Sequence, residues 1–548
     1  MELPVKRELR SWAGVLLFFI ALCAVVILVG AARCPAQTSP VPFPVPPSPP
    51  ISAGPVVKLN GHLAVNGQRI TCFGVNFDFS SIAGLCNPNK QGQLALDPNQ
   101  QAVYLTELNT LQAAGVDFVR ILGIDASNIN PIFAAGTTTA FDPGKVAALD
   151  WFLSQLEQRN IRYALALHYT RALVASDLPA GASALAQECV AQNKGNMLEA
   201  VAFDCATPPP GMAQLPGATG TLQALQMGFN QKLLRHPNQF TGVAIGDSNA
   251  LAFVEVENEC PFVKNDFWSE PATQPVLLAA FNADVAAWCA ANNIPPNQCG
   301  AVQHYQWRAW RETVWLGNVI ANLRTLTHAL IVPNTYFGDG PYAMLSSSIA
   351  LGDGISFHVY SRNAASDSNG FLNGRVGVTP ADARSRISAV AAGCSFPGLF
   401  TACTEFGPQW QSVAGNPSDP PMELILDLPA VTWQLVWADT DAMTPYSWAQ
   451  WAIWKSSAGA AAPGVSEKNG PYDLRNVPQL VRVMRGCSDI FHDLTLRPKA
   501  ITTVPPTGGM FGTMTTTTTG AAVFQIYGPS TDPKPFGLPP TTKVQIAP

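Results

Sequence analysis

Eight short apolar stretches, nearly every one followed by a segment of helical spacing, predict an α/β fold whose parallel strands close into a (β/α)8 TIM barrel. The strand candidates are Ile70–Phe77, Phe118–Leu122, Arg162–His168, Ala252–Glu259, Ala329–Phe337, Gly354–Ser361, Gly398–Gly407 and Thr444–Trp451. Most of them end in a polar or aromatic residue, and a barrel gathers such ends at one mouth. An open doubly wound sheet, the other arrangement of alternating elements, would want a glycine-rich phosphate turn after its first strand, and the sequence has none there.

The elements follow in order. Positive Lys6, Arg7 and Arg10 precede Trp12–Ala32, a run without a charged residue and long enough to span a bilayer. Residues 1–34 are therefore expected to be a signal anchor or a signal peptide. The positive flank places everything after it outside the cytoplasm, membrane-anchored or secreted. Residues 35–55 are proline-dense and read as an extended spacer. Asn60-Gly61 and Asn66-Gly67 are hairpin turns, which predict an N-terminal hairpin cap leading into the first buried strand.

Helical spacing covers Gln100–Ala114, Lys145–Arg159, Leu222–Arg235, Pro275–Asn292, Gln303–His328, Pro380–Ala392, Pro429–Ala438 and Val477–Leu494. These helices and the strands make residues 56–497 one barrel domain. Residues 498–548 form a Thr/Pro/Gly-rich tail, weakly ordered or a short β appendage.

Composition narrows the function. Hydrophobic residues make up 47% of the 548-residue chain and charged residues 13%, with a formal net charge of −5. No basic footprint is present, so nucleic acid is not an expected partner. The histidines and glutamates at the strand ends lack a tight ligand cluster on one element, so neither a metal nor a cofactor is expected.

The strand ends carry Arg120, His168, Asn258-Glu259, His358 with Tyr360, Glu405 and Trp448. Glu259 and Glu405 are two carboxyls that a barrel mouth can hold across a sugar. Glycosidic hydrolysis needs such a pair, one acid to protonate the leaving oxygen and one carboxylate to attack or to activate water. Burial and mutual repulsion would have to lift the acid's pKa toward about 6. Glu255 reads as a buried structural carboxylate. Glu257, on the same strand face, is either an arginine's partner or a third titrating group.

In this order the residues resemble glycoside hydrolase clan A, and within it family 5, the cellulase family. The resemblance runs over Phe118-Val119-Arg120, Leu167-His168, Asn258-Glu259, His358-Val359-Tyr360, Thr404-Glu405-Phe406-Gly407 and Trp448, and covers Val57–Leu494. It implies a retaining β-glycosidase that cleaves β-linked glucan or mannan type polysaccharides by double displacement. Glu259 would be the acid/base and Glu405 the nucleophile. Asn258 would bind the neighbouring sugar hydroxyl, while Arg120 and Tyr360 would hold Glu405 charged and aimed. His168 and His358 would bind sugar or orient the acid, and Trp448 would floor the sugar ring. Cys260 stands where the family often has proline, and Trp451 and Trp454 compete with Trp448 for its role. An exo-acting β-galactosidase or β-mannosidase of the same clan is the alternative within the enzyme class. A non-catalytic carbohydrate-binding barrel is the alternative outside it.

Ten cysteines follow the N-terminal segment, an even number that in an exported chain predicts disulfides. The near pairs are Cys72–Cys86, Cys189–Cys205, Cys289–Cys299 and Cys394–Cys403, with Cys260 and Cys487 left to each other. Free buried thiols are the other reading.

Overall fold

A computed structural model describes residues 49–127, 130–192, 200–204, 220–258, 275–333, 335–337, 350–362, 398–408, 432, 435, 439–445 and 478–496, and three C-terminal strands. The expected signal or anchor segment, the helices at Pro380–Ala392 and most of Pro429–Ala438 lie outside the described residues. Among the described residues, no helix is long and apolar enough to cross a membrane.

Three short antiparallel strands come first: β1 (Val57–Leu59), β2 (His62–Val65) and β3 (Gln68–Arg69). Asn60 and Asn66 take φ of 52° and 51°, and Gly61 and Gly67 follow at 80° and 75°. Two consecutive positive φ values make the tight turns that Asn-Gly favours. Leu63 and Val65 project into the lower barrel core beside Cys72, Phe118, Phe253 and Phe400. Arg69 ties this sheet to the far side of the barrel floor, donating from Nη2 to Asp441 at 2.8 Å and from Nη1 to Asp439 at 3.1 Å.

The barrel follows. β4 (Cys72–Asp78) leads through α1 (Phe79–Ala83) to a hairpin, β5 (Cys86–Pro88) and β6 (Leu94–Leu96), and then α2 (Pro98–Ala113). β7 (Phe118–Leu122), α3 (Pro143–Gln158), β8 (Arg162–Ala166), α4 (Ala184–Ala191) and α5 (Thr221–Leu234) come next. β9 (Leu251–Glu255), α6 (Pro275–Ala291), α7 (Ala301–Leu323), β10 (Leu330–Val332) and β11 (Thr335–Phe337) continue the chain. β12 (Gly354–Arg362), β13 (Phe400–Pro408), β14 (Ala442–Pro445) and α8 (Pro478–Leu496) end it, before an antiparallel sheet of β15 (Phe511–Thr516), β16 (Ala522–Tyr527) and β17 (Pro540–Ile546).

The large sheet runs β10-β9-β8-β7-β4-β14-β13-β12-β11, with parallel pairing throughout. Its two end members are consecutive in sequence and flank Pro333, which has no N–H to give a ladder. They are two pieces of one strand position, so eight positions form a ring. The eighth strand begins at Ala442, earlier than the sequence reading of Thr444–Trp451, directly after Asp441. Asp441 itself is taken up by Arg69 and by His62 Nδ1 at 3.0 Å.

The helices start where short polar side chains can cap them. Asp97 precedes Pro98 and accepts from Asn99 N, and Asp142 precedes Pro143 and accepts from Gly144 N and Lys145 N. Proline at the first helical position lacks the N–H that a helix start cannot use. α2 stops at Gly115, whose φ of +81° is the left-handed C′ conformation. Helix and strand faces then meet in one large apolar core around the barrel, with Phe77, Phe152, Trp307 and Trp315 among its buried members.

Two of the expected disulfides are corrected. Cys72 and Cys86 are free buried thiols: Cys72 belongs to the lower barrel interior and Cys86 to the outer core, where its Sγ donates to Gly144 O. Side chains packed in different cores cannot meet the geometry of a bridge. Cys487, on α8, is likewise a free buried thiol, pushed up to about 12 by burial, and does not pair with Cys260. Cys289–Cys299 is formed. The other two pairs involve Cys205 and Cys394, which lie outside the described residues.

Candidate active site

Strand alternation decides what the barrel holds. In β7, Phe118 points into the barrel and Val119 and Ile121 into the outer core, which leaves Arg120 inward. In β9, Phe253 and Glu255 point in and Val254 out. The inner side chains make two layers. Below, the rings of Phe118, Phe253 and Phe400 lie 5.5 and 5.4 Å apart in sequence of contact. Above them, one pleat toward the C-terminal mouth, every named group is polar.

β13 reaches that upper layer by a bulge. Phe400 and Ala402 point in and Cys403 out, so unbroken alternation would turn Thr404 in and Glu405 out. The register instead sets Cys403 against Phe357 and Glu405 against His358, leaving Thr404 without a counterpart on β12. On the other side the pairing with β14 also slips between Cys403 and Phe406. A bulge re-aims the next side chain, and here it returns Glu405 to the interior.

Arg120 organises the layer. Its Nε and Nη2 both lie 2.6 Å from Glu255 Oε2, Nη1 donates to Glu405 Oε1 at 2.8 Å, and Nη2 donates to Asn258 Oδ1 at 2.6 Å. Nη1 also donates to Asn76 Oδ1 at 3.1 Å. All five side chains are buried. Burial alone would weaken the guanidinium's hold on its proton; Glu255 and Glu405 overcome that and keep the charge more firmly than in water. His358 Nδ1 lies 3.3 Å from Glu405 Oε2, on the side of the carboxylate away from Arg120.

His168 sits beside this cluster, fully buried. Its Nδ1 is 2.9 Å from Asp125 Oδ2 and its Nε2 is 2.9 Å from Asn230 Oδ1 on α5. Its carbonyl accepts from Asn258 N at 2.8 Å. His168 therefore fastens the loop that follows β8 and supports the backbone of Asn258.

The loop after β8 goes on to carry two more buried charged groups, Arg171 and Asp177. Arg171 donates to Thr138 O at 2.6 Å and to Leu225 O at 3.0 Å, and its guanidinium stands 5.3 and 5.7 Å from the rings of Phe133 and Phe229. Burial lowers its pKa to about 10, with Asp125 and Asp177 pulling the other way. Asp177 accepts from Thr138 N, Thr138 Oγ1, Thr137 Oγ1 and Val174 N at 2.6 to 2.9 Å. Burial would raise its pKa, and these donors hold it below the ordinary carboxyl value.

Of the residues singled out in the sequence, Arg120, Asn258, His358 and Glu405 come together, and His168 stands behind them. Tyr360 continues β12, but its side chain lies outside the described residues, as do Glu259 and Trp448. Glu257 is buried on the strand run that carries Glu255. The sequence reading missed Asn76, Asp125 and Asn230. Asn76 was visible in principle, since Gly74, Asn76 and Asp78 interrupt an apolar strand at period two.

No family model matches the sequence, and no curated protein matches it. Solved structures that are similar include a glycoside hydrolase family 5 mannosidase from Rhizomucor miehei, at 9% identity and a TM-score of 0.49 over 81% of this chain and 99% of that one. Another is the endo-beta-1,4-mannanase from Thermotoga petrophila, at 12% identity and a TM-score of 0.44 over 85% of each chain. The beta-mannanase of the blue mussel Mytilus edulis is similar at 12% identity and a TM-score of 0.35, over 80% and 96%. Likenesses this distant carry no argument about activity, and the barrel stands on its own strand order and register.

Proposed function

We propose that the chain is a retaining β-glycoside hydrolase of the family 5 type, acting on β-linked glucan or mannan type polysaccharides. The observation that carries this reading is Glu405, turned inward by a bulge and held between Arg120 and His358, next to Asn258 and hence to the strand end that bears Glu259.

In the first step a Glu405 oxygen attacks the anomeric carbon while Glu259 gives its proton to the leaving oxygen. The glycosidic C–O bond breaks and a glycosyl ester on Glu405 forms. In the second, Glu259 takes a proton from water, the water oxygen attacks the same carbon, and Glu405 leaves as a carboxylate. Arg120 keeps Glu405 pointed along one line of attack, Asn258 binds the hydroxyl beside the reacting carbon, and Tyr360 and Trp448 would complete the sugar site. The N-terminal segment would hold the barrel at the outer face of a membrane or be cut to release it.

The test is turnover of a panel of β-glucans, mannans, xylans and activated aryl β-glycosides. Glu405→Gln should lose turnover by several orders of magnitude. Glu259→Ala should retain the first step on an aryl glycoside with a good leaving group, and azide should restore its turnover. Wild-type turnover in the Glu405 variant sinks the assignment.

A further inference from the structure

We propose that Asn76 is a positioning residue, which fixes Glu405 relative to Arg120 by holding the bulge at Thr404; the proposal rests on reading Glu405 as the nucleophile. The bulge leaves the Thr404 peptide out of register with both neighbouring strands. A buried backbone carbonyl in that position needs donors from elsewhere. It has two: Asn76 Nδ2 at 2.9 Å and Thr444 Oγ1 at 2.5 Å. Asn76 Nδ2 also points at Thr444 O, 3.3 Å away.

The other end of the same amide faces the guanidinium. Asn76 Oδ1 accepts from Arg120 Nη1 at 3.1 Å, and that nitrogen donates to Glu405 Oε1 at 2.8 Å. The contacts close a ring: Asn76 to Arg120, Arg120 to the Glu405 carboxylate, and the peptide immediately before Glu405 back to Asn76. Fixing both the backbone and the head group of Glu405 leaves its side chain little room to swing. The ring is shut away from water, with Asn76 1%, Arg120 0%, Thr404 0% and Glu405 3% exposed.

Only a primary amide fits. It offers a donor and an acceptor in one plane. Turning it over would set its oxygen against two carbonyl oxygens and its N–H₂ against a guanidinium N–H, so the network fixes its orientation. Aspartate would meet the Thr404 carbonyl with a second acceptor, and an apolar side chain would take a donor from Thr404 O and an acceptor from Arg120 at once.

The test compares wild type with Asn76→Ala and Thr444→Val on an aryl β-glycoside. Alongside kcat and KM, it measures the rate at which a 2-fluoro glycoside with a good leaving group traps Glu405. A misplacement near 1 Å can cost about 100-fold, so Asn76→Ala should lower kcat by roughly 10- to 100-fold, with KM held within about threefold. Trapping should slow in parallel and still reach every folded site. A merely structural Asn76 would lower the melting temperature and the fraction of sites trapped, without slowing trapping in the folded fraction. Thr444→Val keeps the shape of the side chain and removes the other donor to the same carbonyl. It should reduce kcat less than Asn76→Ala at unchanged KM, and it carries the test if Asn76→Ala does not fold. Wild-type kcat and trapping rate in the variants that fold overturn the role of Asn76 alone. A wild-type chain that neither turns over nor traps any β-glycoside overturns the reading of Glu405, and the proposal with it.

Discussion

Arg120 and Glu405 are joined at 2.8 Å inside the barrel, and the same guanidinium is held at 2.6 Å by Glu255. One cation thus stands between two buried carboxylates on opposite sides of it. Removing the cation leaves both without their main partner. Arg120→Met should therefore cost about 3–5 kcal/mol of stability, the range for breaking a buried ion pair from one side. It should also abolish turnover. Denaturant unfolding checks the first, and a loss below 1 kcal/mol would show that Glu255 and Glu405 find other partners. Arg120→Lys should recover part of the stability and little of the activity, since an ammonium cannot reproduce the fork that reaches Glu255, Asn258 and Glu405 together.

The polar layer rests on Phe253, whose ring touches both Phe118 and Phe400. Phe253→Ala should cost about 3–5 kcal/mol, because a buried aromatic leaves a cavity that the barrel cannot close. Glu255 lies two residues on in the same strand, so kcat should fall as well. Phe253→Leu should recover most of both. Equal stability of the Ala and Leu variants would mean that the layer collapses around the gap.

Strand identity and barrel closure were legible in the sequence because the β segments are short apolar runs, most of them ended by a polar or aromatic residue and nearly every one followed by helical spacing. The pairing of Arg120 with Glu405 follows from that order. The aim of Glu405 was not legible, since alternation through Phe400, Ala402 and Cys403 turns it outward, and only the register against β12 exposes the extra residue at Thr404. Asn76 escaped notice because its Nδ2 is taken up by backbone carbonyls on β13 and β14, which no residue type announces. The cysteine pairing failed at Cys72 for a related reason: nearness in sequence to Cys86 does not reveal that the two thiols face different cores.

Asp177 gives a pH-dependent prediction. Its carboxyl is held below the ordinary value by the Thr137, Thr138 and Val174 donors, so its contribution to stability is present above the unfolded pKa of about 3.9. That contribution is lost as the pH falls through the lower folded value. Asp177→Asn should be less stable than wild type by roughly 1.5–3 kcal/mol at neutral pH, the range for hydrogen bonds to a charged group. The gap should be constant down to about pH 5 and shrink below about pH 4. Melting temperatures of both proteins across that range check it, and a gap that widens in acid would contradict the assignment.

Reduction offers a contrast between stability and chemistry. Cys289 lies in the last turn of α6 and bonds Cys299, ten residues on, ahead of α7. A loop of about that length is worth roughly 3 kcal/mol in the chain-entropy account. Cys289→Ser with Cys299→Ser should lower stability toward that figure and leave kcat and KM unchanged, because neither cysteine contributes to the polar layer. A change in KM would tie the α6–α7 turn to the sugar site.

His168 separates two roles that the sequence left joined. Both ring nitrogens are within 2.9 Å of buried acceptors, Asp125 Oδ2 and Asn230 Oδ1, and the ring is fully buried. Asp125 Oδ1 meanwhile accepts from Tyr169 N at 2.8 Å, so the imidazole and the following peptide share one carboxylate. His168→Phe keeps the bulk and removes the polar contacts, leaving Asp125 and Asn230 each short of a partner at about 1–3 kcal/mol apiece. Stability should drop by that sum while KM stays within a few-fold, since the His168 carbonyl still holds the Asn258 backbone. The opposite pattern, unchanged stability with a KM raised tenfold or more, would show that the ring reaches the sugar after all.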